Sequence, residues 1–370
     1  MFNTKRLPLS LSIAGLLLSL LISPGLGSAC SRILWNTNKQ AVVVARSMDW
    51  TLPFGDRLVI YPRGMHMRGM PGENPATWVS KYGSIGVVHY ELNRSIRKNL
   101  IDSGDPAADL GDPLVNGNSE GINEKGLAAH TLVLAASNHG ARDLQKPGVL
   151  NSEWVRYVLD NFETVKDAIA GLQAIQIVSA KAGDVEYPQH MALEDSTGDS
   201  AIIEFIDGKM AIHHGREYTV MTNDPPYPVH LANLKRYKSF GGAIEELPGG
   251  NEPDHRFVRA MEFVRTLPEP QDQPEAIAYL FSVIRNVSVP YGAVYHSLPG
   301  SPTYPTWWTS AADLTNRIFY FHMTHNPNVI RVALKDIDFA AGRPMSVLDP
   351  GQIDLVGDVT NKFVPVPAMK

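Results

Sequence analysis

The sequence has little cysteine and no second long apolar run, and each shortage excludes a class of protein. Among 370 residues there is a single cysteine, Cys30, so no internal disulfide can form. The formal net charge is -5 and no segment is rich in lysine and arginine, so nothing favours binding to DNA or RNA. Beyond the N-terminus no apolar run is long enough to cross a bilayer. The composition, 44% hydrophobic and 19% charged, is that of a globular protein with a large core.

The sequence also lacks the usual short motifs of cofactor and metal sites. It contains no glycine-rich phosphate loop and no His-Glu-x-x-His motif. His190, the adjacent His213-His214 and the pair His322 and His325 do not have the spacing of a metallohydrolase. Neighbouring residues on a strand point to opposite faces, so two adjacent histidines cannot easily share one ion. We therefore expect neither a metal nor an organic cofactor.

Residues 1–29 have the order of a secretory signal peptide. Lys5 and Arg6 form the positive start, residues 7–22 are almost continuously apolar, and small, turn-forming residues follow up to Ala29. The apolar stretch is slightly short for a stable membrane span. We expect cleavage after Ala29, export to the periplasm or medium, and no stable membrane insertion of the mature chain. Residues 30–370 show no linker and are expected to form a single domain that begins at Cys30.

The position of the lone cysteine indicates chemistry. A thiol attacks an amide carbonyl well only as a thiolate, so a base must take its proton. At the first residue of a chain that base is present as the free α-amino group, whose ordinary pKa is about 7.7–8.0. Removal of a signal peptide before Cys30 would uncover nucleophile and base together. Cys30 is therefore predicted to be the nucleophile of an amide hydrolase.

Two alternatives to this interpretation of Cys30 stay open at the level of sequence. A lipoprotein carries lipid on the cysteine that follows its signal peptide, and such a chain would be a lipid-anchored periplasmic binding protein. The usual lipoprotein pattern has leucine where this chain has Gly27, and Leu26 lies one place too early. The other alternative is a Cys–His pair that uses His130 or His139, which would need no free amine.

The order of predicted elements favours an α+β domain. Strands are predicted at residues 41–46, 57–61, 84–90 and 125–135, with a long loop at 102–121. Helices are predicted at 152–161, after a capping box at Thr164 and Asp167, after a cap at Asp254, and from Pro274. Strands return over 191–221, and 317–323 with 329–334 read as a closing hairpin. No βαβ repeat is present, so a layered α+β arrangement is expected.

Several short motifs, in order around Cys30, make the chain resemble the choloylglycine hydrolase and penicillin V acylase family of N-terminal-nucleophile hydrolases, in its Gram-negative branch. They begin with Cys30 and continue along nearly the whole mature chain. They comprise Arg46-Ser47-Met48-Asp49-Trp50, Asn123-Glu124-Lys125-Gly126-Leu127, Thr222-Asn223, Arg256-Phe257-Val258-Arg259 and Thr309-Ser310. The resemblance implies a four-layer αββα sandwich, with two antiparallel sheets face to face and helices outside.

The resemblance also implies roles for particular residues. Arg46 is similar to the arginine beside the thiol, and Asp49 to the carboxylate that orients the α-amine. Asn223 is similar to the side-chain donor of the oxyanion hole, and Arg256, with Arg259 as the fallback, to a second active-site arginine. A backbone N–H near Leu132 or Val133 would be the other oxyanion donor, although many relatives carry a polar side chain there.

The resemblance implies a small acyl-amide substrate. Members of the family cleave penicillin V, N-acyl homoserine lactones or conjugated bile salts, and the Gram-negative branch favours aryloxyacetyl and fatty-acyl amides. Trp50 and Met65, with other aromatic residues and methionines at 54–78, suit an apolar acyl group in the pocket. We therefore expect penicillin V acylase-like hydrolysis, with acyl homoserine lactones as further substrates and bile salts as the alternative. A homo-oligomer, a tetramer by family resemblance, is expected as well.

Overall fold

The computed structural model describes residues 30–103, 112–182, 185–293 and 303–367, and its centre is a pair of stacked sheets. The first sheet has seven strands in the order β16-β1-β2-β17-β18-β19-β21. Its strands are β1 Ser31–Trp35, β2 Val43–Asp49, β16 Val220–Thr222, β17 Thr306–Asp313, β18 Ile318–Met323, β19 Ile330–Ala333 and β21 Gly357–Asp358.

The second sheet has nine strands in the order β15-β14-β13-β8-β7-β6-β3-β20-β22. Its strands are β3 Arg57–Tyr61, β6 Ser84–Val88, β7 Asn118–Asn123, β8 Ala128–Val133, β13 Gln189–Glu194, β14 Ser200–Ile206, β15 Lys209–His214, β20 Ser346–Leu348 and β22 Val364–Pro365. Three small two-stranded sheets lie outside this pair: β4 His66–Arg68 with β5 Thr77–Val79, β9 Gly148–Leu150 with β10 Gln176–Val178, and β11 Lys181–Ala182 with β12 Val185–Glu186.

Six α-helices lie within the described residues: α1 Tyr90–Ser103, α2 Trp154–Asn161, α3 Val165–Leu172, α4 Tyr227–Leu234, α5 Pro253–Thr266 and α6 Gln273–Asn286. Helices α5 and α6 pack on the seven-stranded sheet, and α2 packs on β7 and β8 of the nine-stranded sheet. None of the helices in the described part of the chain is both long and apolar enough to cross a membrane.

Successive side chains on the strands of the nine-stranded sheet pack into two different cores, one on each face of the sheet. On β8, β13 and β14, Ala128, Ala192 and Ile202 belong to the core shared with the seven-stranded sheet. Their neighbours Leu193 and Ile203 belong to the separate core under α2 and α3. Because successive side chains on a strand point to opposite faces, one sheet supplies both cores. The result is helices, sheet, sheet, helices, which confirms the predicted α+β αββα sandwich.

Several local predictions are confirmed by the structure. β3 has the predicted bounds, and β18 and β19 form the predicted antiparallel closing hairpin. The side chain of Thr164 accepts the backbone N–H of Asp167, so the capping box at the start of α3 forms as expected.

Other local predictions were wrong. The expected cap at Asp254 lies inside α5, because Glu252 occupies the cap position and Pro253 opens the helix. The long loop at 102–121 is shorter than expected, since α1 runs into it and β7 starts at Asn118. Residues 104–111 of that loop lie outside the described residues. Helix α1 was not predicted because polar residues predominate in it and its apolar stripe is narrow. Helix α4 was not predicted because it begins directly after Pro225 and Pro226.

Candidate active site

Cys30 lies immediately before β1 and belongs to the core between the two sheets. Its side chain is buried, with Sγ 3.8 Å from Met48 Sδ and 3.8 Å from the carbonyl oxygen of Asp49. The pairing of β1 with β2 fixes this contact, because Ser31 is registered opposite Ser47. Burial raises the pKa of the Cys30 thiol, and the positive charge of Arg46 opposes that rise. Burial thus favours the neutral thiol, whereas the positive charge of Arg46 favours the thiolate.

Arg46 is buried on the inner face of β2, with 1% of its surface exposed. Its Nη2 donates to the carbonyl of Thr131 at 3.0 Å, and its guanidinium lies over the Trp308 ring at 5.0 Å. Nη1 is 3.7 Å from Glu120 Oε2. Arg46 is therefore not part of an exposed surface ion pair, because its side chain is buried and hydrogen-bonded. Its charge is therefore fixed on the side of the thiol.

Asp49 ends β2 and is fully buried. Ser47 Oγ donates to Asp49 Oδ2 at 3.0 Å, and the hydroxyl of Thr306 donates to Oδ1. Burial raises the pKa of Asp49 to about 7, against the lowering effect of the Arg256 charge and of these two hydroxyls. Near neutral pH this carboxyl can therefore exist in either protonation state.

Arg256 comes from α5 and joins three parts of the site. Nη1 donates to the carbonyl of Cys30 at 2.7 Å and to Ser31 Oγ at 2.5 Å, and Nη2 donates to Asn223 Oδ1 at 3.2 Å. Arg259, one turn later, bonds instead to loop carbonyls and to Asn286. The structure therefore brings Arg256 to the cysteine and leaves Arg259 in a structural role.

Asn223 follows β16 and is completely buried. Its Nδ2 donates to the carbonyl of Val133 at 2.8 Å, so the side-chain amide is held at both ends by Val133 and Arg256. His230 on α4 supports its backbone: the ring stacks on Phe257, and Nε2 lies 2.9 Å from the Asn223 carbonyl. Burial lowers the pKa of His230, so a neutral ring donates this bond. One amide hydrogen of Asn223 is left for another acceptor.

The register of β8 distinguishes Leu132 from Val133. The N–H of Leu134 bonds to Pro188 beside β13, and Leu132 is registered opposite His190 on that strand. Alternation then points the backbone groups of Leu132 toward β13 and those of Val133 to the other side. On that side the registered pairing with β7 ends at His130, and the Val133 carbonyl meets Asn223. The geometry therefore favours the Val133 N–H over that of Leu132 as a donor at the site.

Trp50 forms an aromatic wall directly after Asp49. Its ring centroid is 5.8 Å from Phe54, 6.4 Å from Tyr187 and 6.4 Å from Tyr304. The indole Nε1 is buried and has no hydrogen-bond partner among the described residues. Burial raises the pKa of Tyr187, and a negative charge on Cys30 would raise it further, which places this tyrosine at the same pocket.

Met65 does not join this group. Its sulfur is 3.8 Å from Arg156 on α2, and it packs with Val59 and Tyr61 on the helix-covered side of the nine-stranded sheet. Of the residues predicted to line the acyl pocket, the structure brings Trp50 to Cys30 and leaves Met65 elsewhere. Trp50 follows β2 and Met65 precedes β4, and the two pack in different apolar clusters, which a list of apolar residues cannot resolve.

The histidines that suggested a Cys–His pair have other partners. His130 Nδ1 is 2.9 Å from Glu120 and Nε2 is 2.5 Å from Glu194, so both ring nitrogens face carboxylates. His139 Nδ1 bonds to Ser179 Oγ at 3.0 Å, and the ring packs on Phe205, which belongs to the core under α2 and α3. Neither ring is placed to accept the thiol proton. In the described ranges no group of three or more His, Cys, Asp or Glu side chains has the arrangement of a metal site.

Some residues of the site were missed by sequence reasoning. Ser31, Ser47 and Thr306 hold Arg256 and Asp49 in place, and Tyr187 borders the thiol. Ser47 lies inside a quoted motif and Ser31 directly follows Cys30, so their positions in the sequence were an available signal. Thr306 and Tyr187 are distant in sequence and carry no such pattern.

Comparison with known proteins agrees with this geometry. The sequence profile of linear amide C–N hydrolases, choloylglycine hydrolase family, matches residues 30–349 and so starts at Cys30. A penicillin V acylase of Pectobacterium atrosepticum is 35% identical over 371 residues, covering 94% of this chain and 92% of that protein. A bile salt hydrolase/transferase of Bifidobacterium longum subsp. longum is 21% identical over 341 residues, covering 86% of this chain and 99% of that protein.

Solved structures of penicillin V acylase and of conjugated bile acid hydrolase are similar to this chain. Penicillin V acylase from Agrobacterium tumefaciens has a TM-score of 0.76 and 35% identity, covering 92% of this chain and 99% of that chain. A mutant conjugated bile acid hydrolase from Clostridium perfringens has a TM-score of 0.68 at 19% identity, covering 86% and 96%, and so shares the fold.

Proposed function

The chain belongs to the choloylglycine hydrolase family of linear amide C–N hydrolases, and from that premise we propose that Cys30 is an N-terminal nucleophile that cleaves a penicillin V-like acyl amide through a thioester. As a member of this family the protein is an amidohydrolase that needs a group able to attack an amide carbonyl. The observation that carries the proposal is the placement of the chain's one cysteine. Cys30 is the first residue of the family match, and its thiol and backbone lie among Arg46, Asp49 and Arg256.

The proposed reaction starts with transfer of the Cys30 thiol proton to its own α-amine. The thiolate then attacks the carbonyl carbon of the substrate and forms a tetrahedral intermediate. The α-ammonium returns the proton to the amide nitrogen as the C–N bond breaks, which releases the amine and leaves a thioester. Water, deprotonated by the α-amine, cleaves the thioester, releases the carboxylic acid and restores the thiol. Arg46 favours the thiolate, and Asp49 supports the positive charge on the α-amine.

The oxyanion of the intermediate needs donors that are already in place. We assign this role to the remaining amide hydrogen of Asn223 and to the backbone N–H of Val133. Arg256 supports the assignment, because it anchors Asn223 Oδ1 and the Cys30 carbonyl with one guanidinium. Nucleophile and oxyanion donor are thus tied to the same side chain.

The acyl group is proposed to be aromatic. The cluster of Trp50, Phe54, Tyr187 and Tyr304 offers ring faces and edges to a phenoxyacetyl group such as that of penicillin V. The name of the relative at 35% identity points to the same substrate. Acyl homoserine lactones share the linear amide and are proposed as further substrates. The bile salt hydrolase/transferase of Bifidobacterium longum subsp. longum is less similar, at 21% identity, so bile salts remain the alternative.

The mechanism requires a free amine on Cys30, so we also propose that residues 1–29 are a signal peptide removed during export. Peptide-bonded nitrogen is not basic, and a chain that keeps these residues would lack the catalytic base. The same residue then serves as the marker of maturation and as the nucleophile.

The test begins with the intact mass of the purified exported protein. A chain that starts at Cys30 with an unmodified amine is expected, and lipid on the cysteine or residues before it would contradict the proposal. Acid quenching during turnover of penicillin V should then trap a phenoxyacetyl adduct on Cys30, visible as a mass increase.

Two variants sharpen this test. Cys30→Ser should retain the fold and lose most activity, because a hydroxyl is far harder to ionise than a thiol. Ser282→Ala, at an exposed position on α6, is the control for expression and handling. Full activity in Cys30→Ser would refute the assignment of the nucleophile. One extra residue placed before Cys30 should also abolish turnover, because it removes the free amine while leaving the thiol.

A further inference from the structure

Five charged side chains form a continuous buried row between the two sheets. Arg32 on β1 pairs with Glu194 on β13, Glu194 lies against His130 on β8, and His130 lies against Glu120 on β7. Glu120 in turn faces Arg46, whose charge acts on the Cys30 thiol. All five side chains are 3% exposed or less. A row of this kind in a dry core is costly unless each charge is matched.

The position of His130 between two carboxylates favours a doubly protonated ring. Its two nitrogens lie 2.9 Å from Glu120 Oε2 and 2.5 Å from Glu194 Oε1. A neutral imidazole has one N–H, and its other nitrogen would face a carboxylate lone pair. An imidazolium has an N–H for each side. Burial opposes a charged ring, but the charges of Glu194 and Glu120 outweigh burial and raise the pKa of His130.

One oxygen atom connects this histidine to the active site. Glu120 Oε2 accepts from His130 Nδ1 and also lies 3.7 Å from Arg46 Nη1. While the imidazolium holds that oxygen, the guanidinium is only loosely paired with Glu120. Arg46 Nη2 instead donates to the carbonyl of Thr131 at 3.0 Å, and Thr131 follows His130 on β8. Without the imidazolium, Glu120 would be free to close on Arg46 and neutralise it.

We propose that His130 is a positioning residue of this hydrolase: clamped between Glu120 and Glu194 as an imidazolium, it keeps Glu120 from closing on Arg46 and so preserves the positive charge beside the Cys30 thiol. The inference rests on the proposed function for its catalytic consequence. Its electrostatic consequence concerns the thiol alone and can be measured without substrate.

The experiment uses the mature chain with His130→Gln, and His139→Gln as the matched control. Both histidines are 3% exposed, but His139 contacts Ser179 and Phe205 rather than this row. Alkylation of Cys30 by iodoacetamide is followed by mass over about pH 5 to 10, which spans the ordinary thiol range. Because the chain has one cysteine, the signal belongs to Cys30.

The expected result is a shift of the alkylation midpoint upward by roughly one pH unit in His130→Gln. At pH 7 this makes alkylation about tenfold slower than in the wild type. With penicillin V, kcat should fall by about the same factor while KM stays within about threefold, since no substrate contact is lost. The control should match the wild type in both assays. An unshifted alkylation profile in folded His130→Gln would overturn the proposal.

A second measurement does not depend on a variant that folds. A neutron structure of the wild-type protein should show deuterium on both nitrogens of His130, and a single deuterium would overturn the proposal. Failure of the proposed function is a separate outcome. If Cys30→Ala kept wild-type turnover, the nucleophile would be wrong, yet the alkylation and neutron results would still decide the role of His130.

Discussion

Replacing Asn223 by alanine is the sharpest test of how the site stabilises charge. The side chain donates to the Val133 carbonyl at 2.8 Å and accepts from Arg256 at 3.2 Å, so its amide is fixed before substrate arrives. Fixed donors are effective because they need no reorganisation when the oxyanion forms. Alanine removes the donor, and it also removes the bonds that Asn223 makes to the partly buried Val133 carbonyl and to Arg256.

The expected effects can be separated by size. Loss of one oxyanion donor costs about 10²–10³ in kcat, which is about 3 to 4 kcal/mol of transition-state stabilisation. The orphaned Val133 carbonyl costs about 1–3 kcal/mol of folding free energy. Ground-state binding of the acyl group depends on the aromatic wall, so KM should change by less than about threefold. The variant should therefore be somewhat less stable and far slower, with nearly normal affinity.

Steady-state hydrolysis of penicillin V and a thermal melt measure these effects. Asn36→Ala is the matched control, because Asn36 is also buried and makes bonds of 2.7 and 2.9 Å to the carbonyls of Gly198 and Arg216, away from Cys30. It should lose stability by a similar amount and keep its kcat. A kcat in Asn223→Ala within about fivefold of wild type would refute the oxyanion assignment. An equal loss of kcat in the control would show that the effect is merely structural.

Three further predictions concern the second arginine, the acyl pocket and a buried acid. Arg256→Lys should lower kcat about 100-fold or more, because a lysine cannot bridge Cys30, Ser31 and Asn223, whereas Arg259→Lys should lower only the melting temperature. Trp50→Leu should raise KM for penicillin V roughly three- to tenfold, because ring contacts with the acyl group are lost. Trp78→Leu is the control and should leave KM unchanged, because Trp78 packs against the core under α2 and α3. Burial raises the pKa of Glu153 from 4.5 to about 8, so the folded state holds this proton more tightly than the unfolded state and stability falls as pH rises through that window. Glu153→Gln should therefore raise the unfolding free energy by at least about 1 kcal/mol at pH 8 and by almost nothing near pH 4, as measured by urea denaturation; equal stability at pH 8 would contradict this reasoning.

The state of the thiol before maturation fits the proposed mechanism. With residues 1–29 attached, the nitrogen of Cys30 is a peptide nitrogen, and burial raises the pKa of its thiol. Arg46 and Arg256 lower that pKa but do not reverse the shift. We therefore expect an inert thiol in the precursor, with activation supplied by the α-amine that cleavage releases.

Strong periodic patterns and caps explain the parts of the fold that the sequence predicted well. β3 and the hairpin of β18 and β19 are β-branched and aromatic runs next to clear turns. Helix α1 was missed because polar residues predominate in it and most of its side chains are half-buried or exposed, so its apolar stripe is narrow. The cap at Asp254 was misplaced because proline at the first helical position sets the start of α5 by itself.

The candidate site shows the same division. Arg46 and Asp49 were named through resemblance, and the pairing of β1 with β2 explains why both lie beside a cysteine at the start of the neighbouring strand. Asn223 and Arg256 were named through resemblance, and the structure gives them a physical reason in the bonds they share. Met65 was grouped with Trp50 on chemistry alone, but the two pack in different apolar clusters. Thr306 reaches Asp49 only because β17 pairs with β2.

The linear sequence was enough to predict the family and the layered α+β architecture, and it is the basis for proposing Cys30 as the reactive cysteine. These follow from local patterns and from one unpaired thiol whose position is visible in the linear chain. The three-dimensional structure was needed to show which arginine of α5 meets Cys30, which residue of β8 meets Asn223, and that His130 lies between two carboxylates rather than beside the thiol. The reason is physical: pairing register and sheet stacking join residues far apart in sequence, and a shift of one residue reverses which face each side chain occupies.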